Sequence, residues 1–339
     1  MRISVPGLAA VMLALFSFPV LAQQETAEEI EEIVVTGKLP GPALWKVSHG
    51  DNALWIFALL SPIPKGMTWE SARVEKVIKE ADEFIEPPGA DIDVSPLVML
   101  NPINYVRGYR LAKRLGRNPG GKSLEDVLPS GLYQRIAALK ARYLPKADDL
   151  ETMRPMFAIG QLNRPVFAQN NLVADGGIMK KIKRLVRRNR QIKRTATEVR
   201  LKLEGGYGKL AERTETLINS LPPEQEIACM ETLVSRYEND IEAMKSRANS
   251  WAQGYVDELR DGAFVFDDAN PCALMMLASS EKTTVEDLQT RSQQQWLAAA
   301  EKALAVNRST FAVLSIGDLV SEHGLLAQLK EKGYAVREP

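Results

Sequence analysis

The chain reads as an α/β protein: a central β-sheet built from β-α units at the two ends of the sequence, with a largely helical middle region. Two observations carry this. Leu54 to Leu60 and Thr310 to Ile316 are short apolar runs of β type that stop abruptly, the first in Ser61-Pro62-Ile63-Pro64-Lys65-Gly66 and the second in Gly317-Asp318. A strand buried on both faces lacks polar alternation, and its C-terminal end is where an α/β domain places a site. Between about 130 and 306, by contrast, apolar residues recur at steps of three and four, the period of helices.

Composition agrees with a globular domain. Of 339 residues, 45% are hydrophobic and 25% charged, which excludes a disordered chain. Residues 1–22 read as a secretory leader: Arg2, an apolar run from Leu8 to Phe18, then Val20-Leu21-Ala22 as a small-residue cleavage site before Gln23. The run is short for a membrane anchor, and no later window holds the ~20 apolar residues of a span. An exported, periplasmic protein is therefore expected. Without Arg2 the chain carries 42 basic and 43 acidic side chains, so net charge selects no partner. Cys229 and Cys272 are the only two cysteines, and in an oxidising compartment the pair is expected to form a disulfide.

Residues 23–42 form an acidic tether. It holds Glu25, Glu28, Glu29, Glu31 and Glu32, a short extended run at Ile33-Val34-Val35, and a closing Pro40-Gly41-Pro42. Its Glu31 to Gly37 stretch resembles the TonB box of outer-membrane receptors, which implies a TonB-type partner engaged by strand addition. The domain proper spans 43–339.

Ala43 to Val47 and Ala53 to Leu60 predict a β-hairpin around Ser48-His49-Gly50-Asp51-Asn52. After the Pro62 to Trp69 loop, Val74, Val77, Ile78, Ala81 and Ile85 share one face and predict a helix from about 71 to 84. A strand is expected at 93–100. Asn118 to Ser123 lacks both the first glycine and the preceding strand of a phosphate loop and reads as a turn. Helices follow at about 130–144 and 149–162, then a β-like run at Arg164 to Ala168.

Lys180 to Arg194 packs nine Lys or Arg into fifteen residues, with Ile178, Ile182, Leu185 and Val186 as the buried side. No aromatic residue is interleaved for base stacking and an exported protein meets no nucleic acid, so anionic lipid or lipopolysaccharide phosphate is the partner class considered. Ile227, Met230, Val234, Tyr237, Ile241 and Met244 predict one long helix over about 224–246. A helix is expected at 285–306, and the chain closes as β-α-β: 310–316, 324–331 and 334–337.

Pro42 to Val47, Trp55-Ile56-Phe57 with Pro64-Lys65-Gly66, and Phe311-Ala312-Val313 with Gly324-Leu325-Leu326 and Lys332-Gly333-Tyr334 together resemble the TraB/GumN family, relatives of the Tiki metalloproteases. The resemblance implies a divalent metal held by two Gly-x-x-His motifs and a glutamate on a middle strand, activating water for peptide hydrolysis. Here the motif positions read Ala58-Leu59-Leu60-Ser61 and Ser315-Ile316-Gly317-Asp318, and Asn170 falls at about the place of the glutamate. A degenerate site of Ser61, Asn170 and Asp318 is therefore expected, holding no metal and binding a peptide or glycan with Lys65 and Arg154 as basic contacts. The alternative is a hydrolase with a rebuilt site, metal-dependent through Asp318 with a weakly held divalent ion, or serine-based on Ser61 as nucleophile with His49 or His323 as base. No Gly-x-Ser-x-Gly elbow surrounds Ser61.

Overall fold

A computed structural model describes residues 41–93, 102–174, 176–202, 215–216, 223–261 and 285–339. The leader, the tether to Pro40 with its TonB-box-like run, Cys272 and most of the strand expected at 93–100 lie outside the described residues.

In chain order, strands β1 (Leu44–His49), β2 (Asn52–Leu59) and β3 (Ile63–Pro64) lead to helix α1 (Ala72–Glu80), β4 (Glu83–Ile85) and β5 (Gly89–Asp93). The middle begins with α2 (Pro102–Leu115), α3 (Leu124–Val127), α4 (Ser130–Tyr143) and α5 (Pro155–Gln169). Then come β6 (Leu172–Val173), α6 (Ile178–Arg188), β7 (Lys193–Thr195), β8 (Glu198–Lys202), α7 (Pro223–Asn239), α8 (Ile241–Gln253) and α9 (Asp257–Asp261). The C-terminal part is α10 (Val285–Val306), β9 (Ser309–Ser315), α11 (Ile316–Val320), α12 (Leu325–Glu331) and β10 (Ala335–Arg337).

A six-stranded mixed sheet in the order β10-β1-β2-β9-β4-β7 organises the domain, so both expected β-α ends contribute to one sheet. The β1-β2 hairpin and the β10-β1 pair are antiparallel, while β2, β9, β4 and β7 run parallel. Leu54, Ile56, Phe57 and Ala58 of β2 are all buried, which explains its unalternating run: both faces are covered. Phe57, Phe311 and Phe84 form a row across three strands, with adjacent ring centroids 6.4 and 5.9 Å apart, and Trp69 and Trp251 pack on Phe57. Each such side chain contributes about 1.5–3 kcal/mol by leaving water.

A second core lies in the helical middle, where Leu132, Ile136, Leu139, Leu162, Val166, Val234 and Tyr237 come together from α4, α5 and α7. The chain enters the fold through a fixed point at Gly41. Its φ is +103°, a side chain there would meet the Glu70 carbonyl at 2.1 Å, and its N–H donates to the Ala252 carbonyl at 2.8 Å.

Four expected elements differ. The helix expected at 71–84 ends at Glu80, and Phe84 and Ile85 belong to β4, because pairing with β9 on one side and β7 on the other recruits them to an inner strand of the sheet. The helix expected at 149–162 starts only at Pro155, after a 3-10 turn over Asp148–Thr152 and an extended Arg154. The β-like run at 164–168 is the last part of α5; Ala158, Ile159, Leu162 and Val166 face one core, and that packing outweighs the N–H lost at Pro165. The long helix expected at 224–246 is two helices separated at Asp240, although its apolar seam runs unbroken into the second core.

Candidate functional site

The parallel strands deliver their C-terminal ends to one edge of the sheet. Leu59 of β2 is in register with Ser315 of β9, so Ser61 and Asp318 leave neighbouring strands at the same edge. Ile85 of β4 is in register with Ala312, which brings Glu86 to that edge as well.

Ser61 is exposed and followed by a cis peptide to Pro62. The loop after it is strapped down: β3 pairs antiparallel with β6, and the Lys65 N–H donates to the Asn171 carbonyl at 2.8 Å. The Lys65 side chain is left exposed beside this strap.

Asp318 sits in the first turn of α11. The Ser315 hydroxyl donates to its carboxylate at 2.6 Å and accepts from its N–H at 3.1 Å, so the pair caps the helix. Burial pushes the Asp318 carboxyl above the ordinary aspartate value, and hydrogen bonds from Ser315 and Gln293 offset this only in part. Glu86 is held by Lys183 at 2.8 Å. Nearby, the Lys181 ammonium lies 4.8 Å from the Trp69 ring centroid, 2.6 Å from the Ser71 hydroxyl and 3.7 Å from Glu75.

The other expected residues are distributed more widely. Asn170 is the C-cap of α5, and its amide donates to the Val166 carbonyl at 2.7 Å and to the Tyr143 hydroxyl at 3.2 Å, toward the second core. It stands on no sheet strand, because the stretch before it is helical. Arg154 is at the opposite end of α5, about 24 Å from Asn170 along the axis. There it donates to the Arg117 carbonyl at 3.2 Å and lines a cavity of about 210 Å³ with Asn118, Glu226 and Met230.

The two histidines occupy different ends. His49 closes β1 at the hairpin, in register with Asn52, its ring edge-on to Tyr334 at 5.6 Å. The length of β2, about 23 Å, separates that turn from the edge carrying Ser61, so His49 cannot act as base for Ser61. His323 is exposed, between α11 and α12. Among the described residues, no three His, Cys, Asp or Glu side chains gather as a metal-ligand group would.

The TraB/PrgY/gumN family model matches residues 43–338. The chain belongs to that family. No curated protein and no solved structure matches it. Glu86, directly after β4 and at the same edge as Ser61 and Asp318, is an acidic residue that sequence reasoning did not place there. Its signal was present in the sequence: a carboxylate directly after the apolar pair Phe84-Ile85. Reading those residues as the tail of a helix hid it.

Proposed function

We propose that this TraB/PrgY/gumN protein is an exported envelope protein whose sheet edge has lost peptidase chemistry and retains reversible binding of a peptide or glycan. The observation that carries the reading is the state of the acids at that edge: Asp318 is engaged by Ser315 and Gln293, and Glu86 by Lys183. Glu86 directly follows β4, an inner strand of the sheet, whereas Asn170 ends a helix, so Glu86 is the better occupant of the glutamate position that the family resemblance implies. The imidazoles of the two Gly-x-x-His motifs remain without replacement, since Ser61 and Asp318 stand in their places.

A hydroxyl and two carboxylates already held by protein donors make a poor site for zinc, which prefers nitrogen and sulfur ligands. The edge is better suited to hydrogen bonding. Ser61 and Lys65 are exposed there and can exchange hydrogen bonds with a peptide backbone or sugar hydroxyls.

The test is metal analysis of the protein purified after zinc or cobalt loading, coupled to a peptide-cleavage assay. Substoichiometric metal and no cleavage are expected, together with tryptophan fluorescence changes on adding short peptides or oligosaccharides that weaken in Ser61→Ala and Lys65→Ala. Stoichiometric metal with cleavage abolished by Asp318→Asn or Glu86→Gln would establish the rebuilt hydrolase instead.

Export carries two companion readings. The tether that leader cleavage leaves at the N-terminus engages a TonB-type partner through residues 31–37, and Cys229, buried on α7, is bridged to Cys272. Titration of the unfolded, unreduced protein should then find no free thiol; two reactive thiols would rule the bridge out.

A further inference from the structure

The basic segment from α6 to β7 divides into two populations of cations. Lys181, Lys183 and Lys193 are paired with acidic partners: Glu75 at 3.7 Å, Glu86 at 2.8 Å and Glu83 at 2.7 Å. Lys180, Arg184, Arg187, Arg188, Arg190 and Arg194 are exposed, and among the described residues none of these six has an acidic partner within 4 Å. The first four fall at i, i+4, i+7 and i+8 of one helix whose other face, Ile178, Ile182 and Val186, is buried. The helix itself contains no acidic residue.

In a chain of zero formal net charge this ridge is a concentrated exception. Ordinary surfaces intersperse both signs, and a cluster of one sign raises the local potential enough to attract its counter-charge. The shape selects among anions. The cations stand on a convex helix face that runs about 12 Å from Lys180 to Arg188, so they cannot surround a small ion, but they can lie together on a plane of phosphates. No aromatic side chain lies between Ile178 and Thr195, which removes the stacking platform that single-stranded nucleic acid requires.

We infer that the exposed face of α6, extended by Arg190 and Arg194, is a peripheral docking surface for a phosphate-bearing anionic membrane. Each cation brought to such a surface strengthens binding about fivefold, and the attraction decays within the Debye length of about 10 Å at 0.1 M salt. The paired lysines tie the segment to α1 and to β4 and its end, so α6 docks as part of the rigid domain.

The experiment is co-sedimentation of the purified full chain with vesicles of phosphatidylcholine alone or with about a third phosphatidylglycerol. Wild type is compared with Lys180→Gln/Arg184→Gln/Arg187→Gln and with a charge-matched control, Lys302→Gln/Arg308→Gln/Lys330→Gln. All substituted side chains are exposed, and equal melting temperatures show that each variant folds. Binding is expected only to the anionic vesicles, to weaken at least about tenfold in the ridge variant and little in the control, and to vanish near 0.5 M salt. Equal binding to neutral vesicles, or equal losses in both variants, would overturn the inference. So would tighter binding to a single-stranded oligonucleotide than to the anionic vesicles.

Discussion

The indole Nε1 of Trp251 donates a 2.8 Å hydrogen bond to the carbonyl of Ala58, joining residues 193 positions apart inside the core. Ala58 lies one residue before Leu59, the last residue of β2, so α8 holds the strand whose end presents Ser61. The ring adds edge-on packing against Phe57 and Trp69 at 6.0 and 5.9 Å. Trp251→Phe should therefore cost about 2 kcal/mol or more, from the lost hydrogen bond and the space left by the smaller ring, and Trp251→Ala about 3–5 kcal/mol. Urea unfolding gives both numbers. A Phe variant as stable as wild type would show that this bond contributes nothing.

Gly324 is the second fixed point of the sheet edge. A Cβ added there would come 2.4 Å from the Asp318 carbonyl oxygen and 3.1 Å from that of Ser321, both backbone atoms that cannot swing away. The turn joining α11 to α12 thus requires glycine for closeness of approach rather than for an unusual φ. Gly324→Ala should destabilise by about 1–3 kcal/mol and shift the Asp318 turn. Gly131→Ala, inside α4 where a Cβ meets nothing within 4 Å, should by contrast be stabilising by up to about 1 kcal/mol in thermal melts.

How much of this was legible in the sequence depended on whether local pattern or distant pairing decides an element. The β1-β2 hairpin, β9, α4 and α10 were readable because their own residues carry the signal: runs buried on both faces, or apolar positions at helical spacing. β4 is three residues long, and Phe84 and Ile85 also continue the apolar face of α1. Only β9 and β7, which lie far away in the chain, make them an inner strand. Pro165, Val166 and Phe167 have the composition of a strand, and the helix there is imposed by packing in the second core. The same limit fell on the site: Ser61 and Asp318 were found from strand ends, Glu86 was lost with β4, and Asn170 and Arg154 were assigned to an edge that neither side chain faces.

Glu83 offers a test of that distant pairing. It is buried at the start of β4, receives Lys193 at 2.7 Å and Asn307 at 2.7 Å, and is also bonded by the Thr195 hydroxyl. Burial alone would raise its carboxyl, but the hydrogen bonds from Lys193, Thr195 and Asn307 outweigh it and hold the group below the ordinary glutamate value. The folded state therefore binds this proton less readily than the unfolded chain does. Its contribution is fully present above about pH 4.3 and is lost as pH falls through the folded value. Glu83→Gln should cost about 1.5–3 kcal/mol at pH 7 and flatten that acid-side loss, read from urea midpoints between pH 7 and 3.

Asp318 has the opposite sign, and its neighbourhood decides what the site can do. Its carboxyl is raised by burial, so the folded chain keeps the proton longer than the unfolded one, whose value is near 3.9. Stability tied to this group is greatest below that value, falls as pH rises through the window up to the folded value, and stays reduced above it. Asp318→Asn removes the titration while leaving an oxygen to accept from the Ser315 hydroxyl. The variant should then be as stable as wild type at pH 7, or slightly more so, and should lack the decline just above pH 4. The same substitution probes function, because a carboxylate retained for catalysis commonly carries a stability cost that its amide relieves at the expense of turnover. Where the edge only binds, Asp318→Asn and Ser61→Ala leave any residual hydrolysis unchanged. A stabilised Asp318→Asn protein that had lost about a hundredfold in turnover would mean that the buried charge is kept for chemistry, and the binding-only reading would have to be given up.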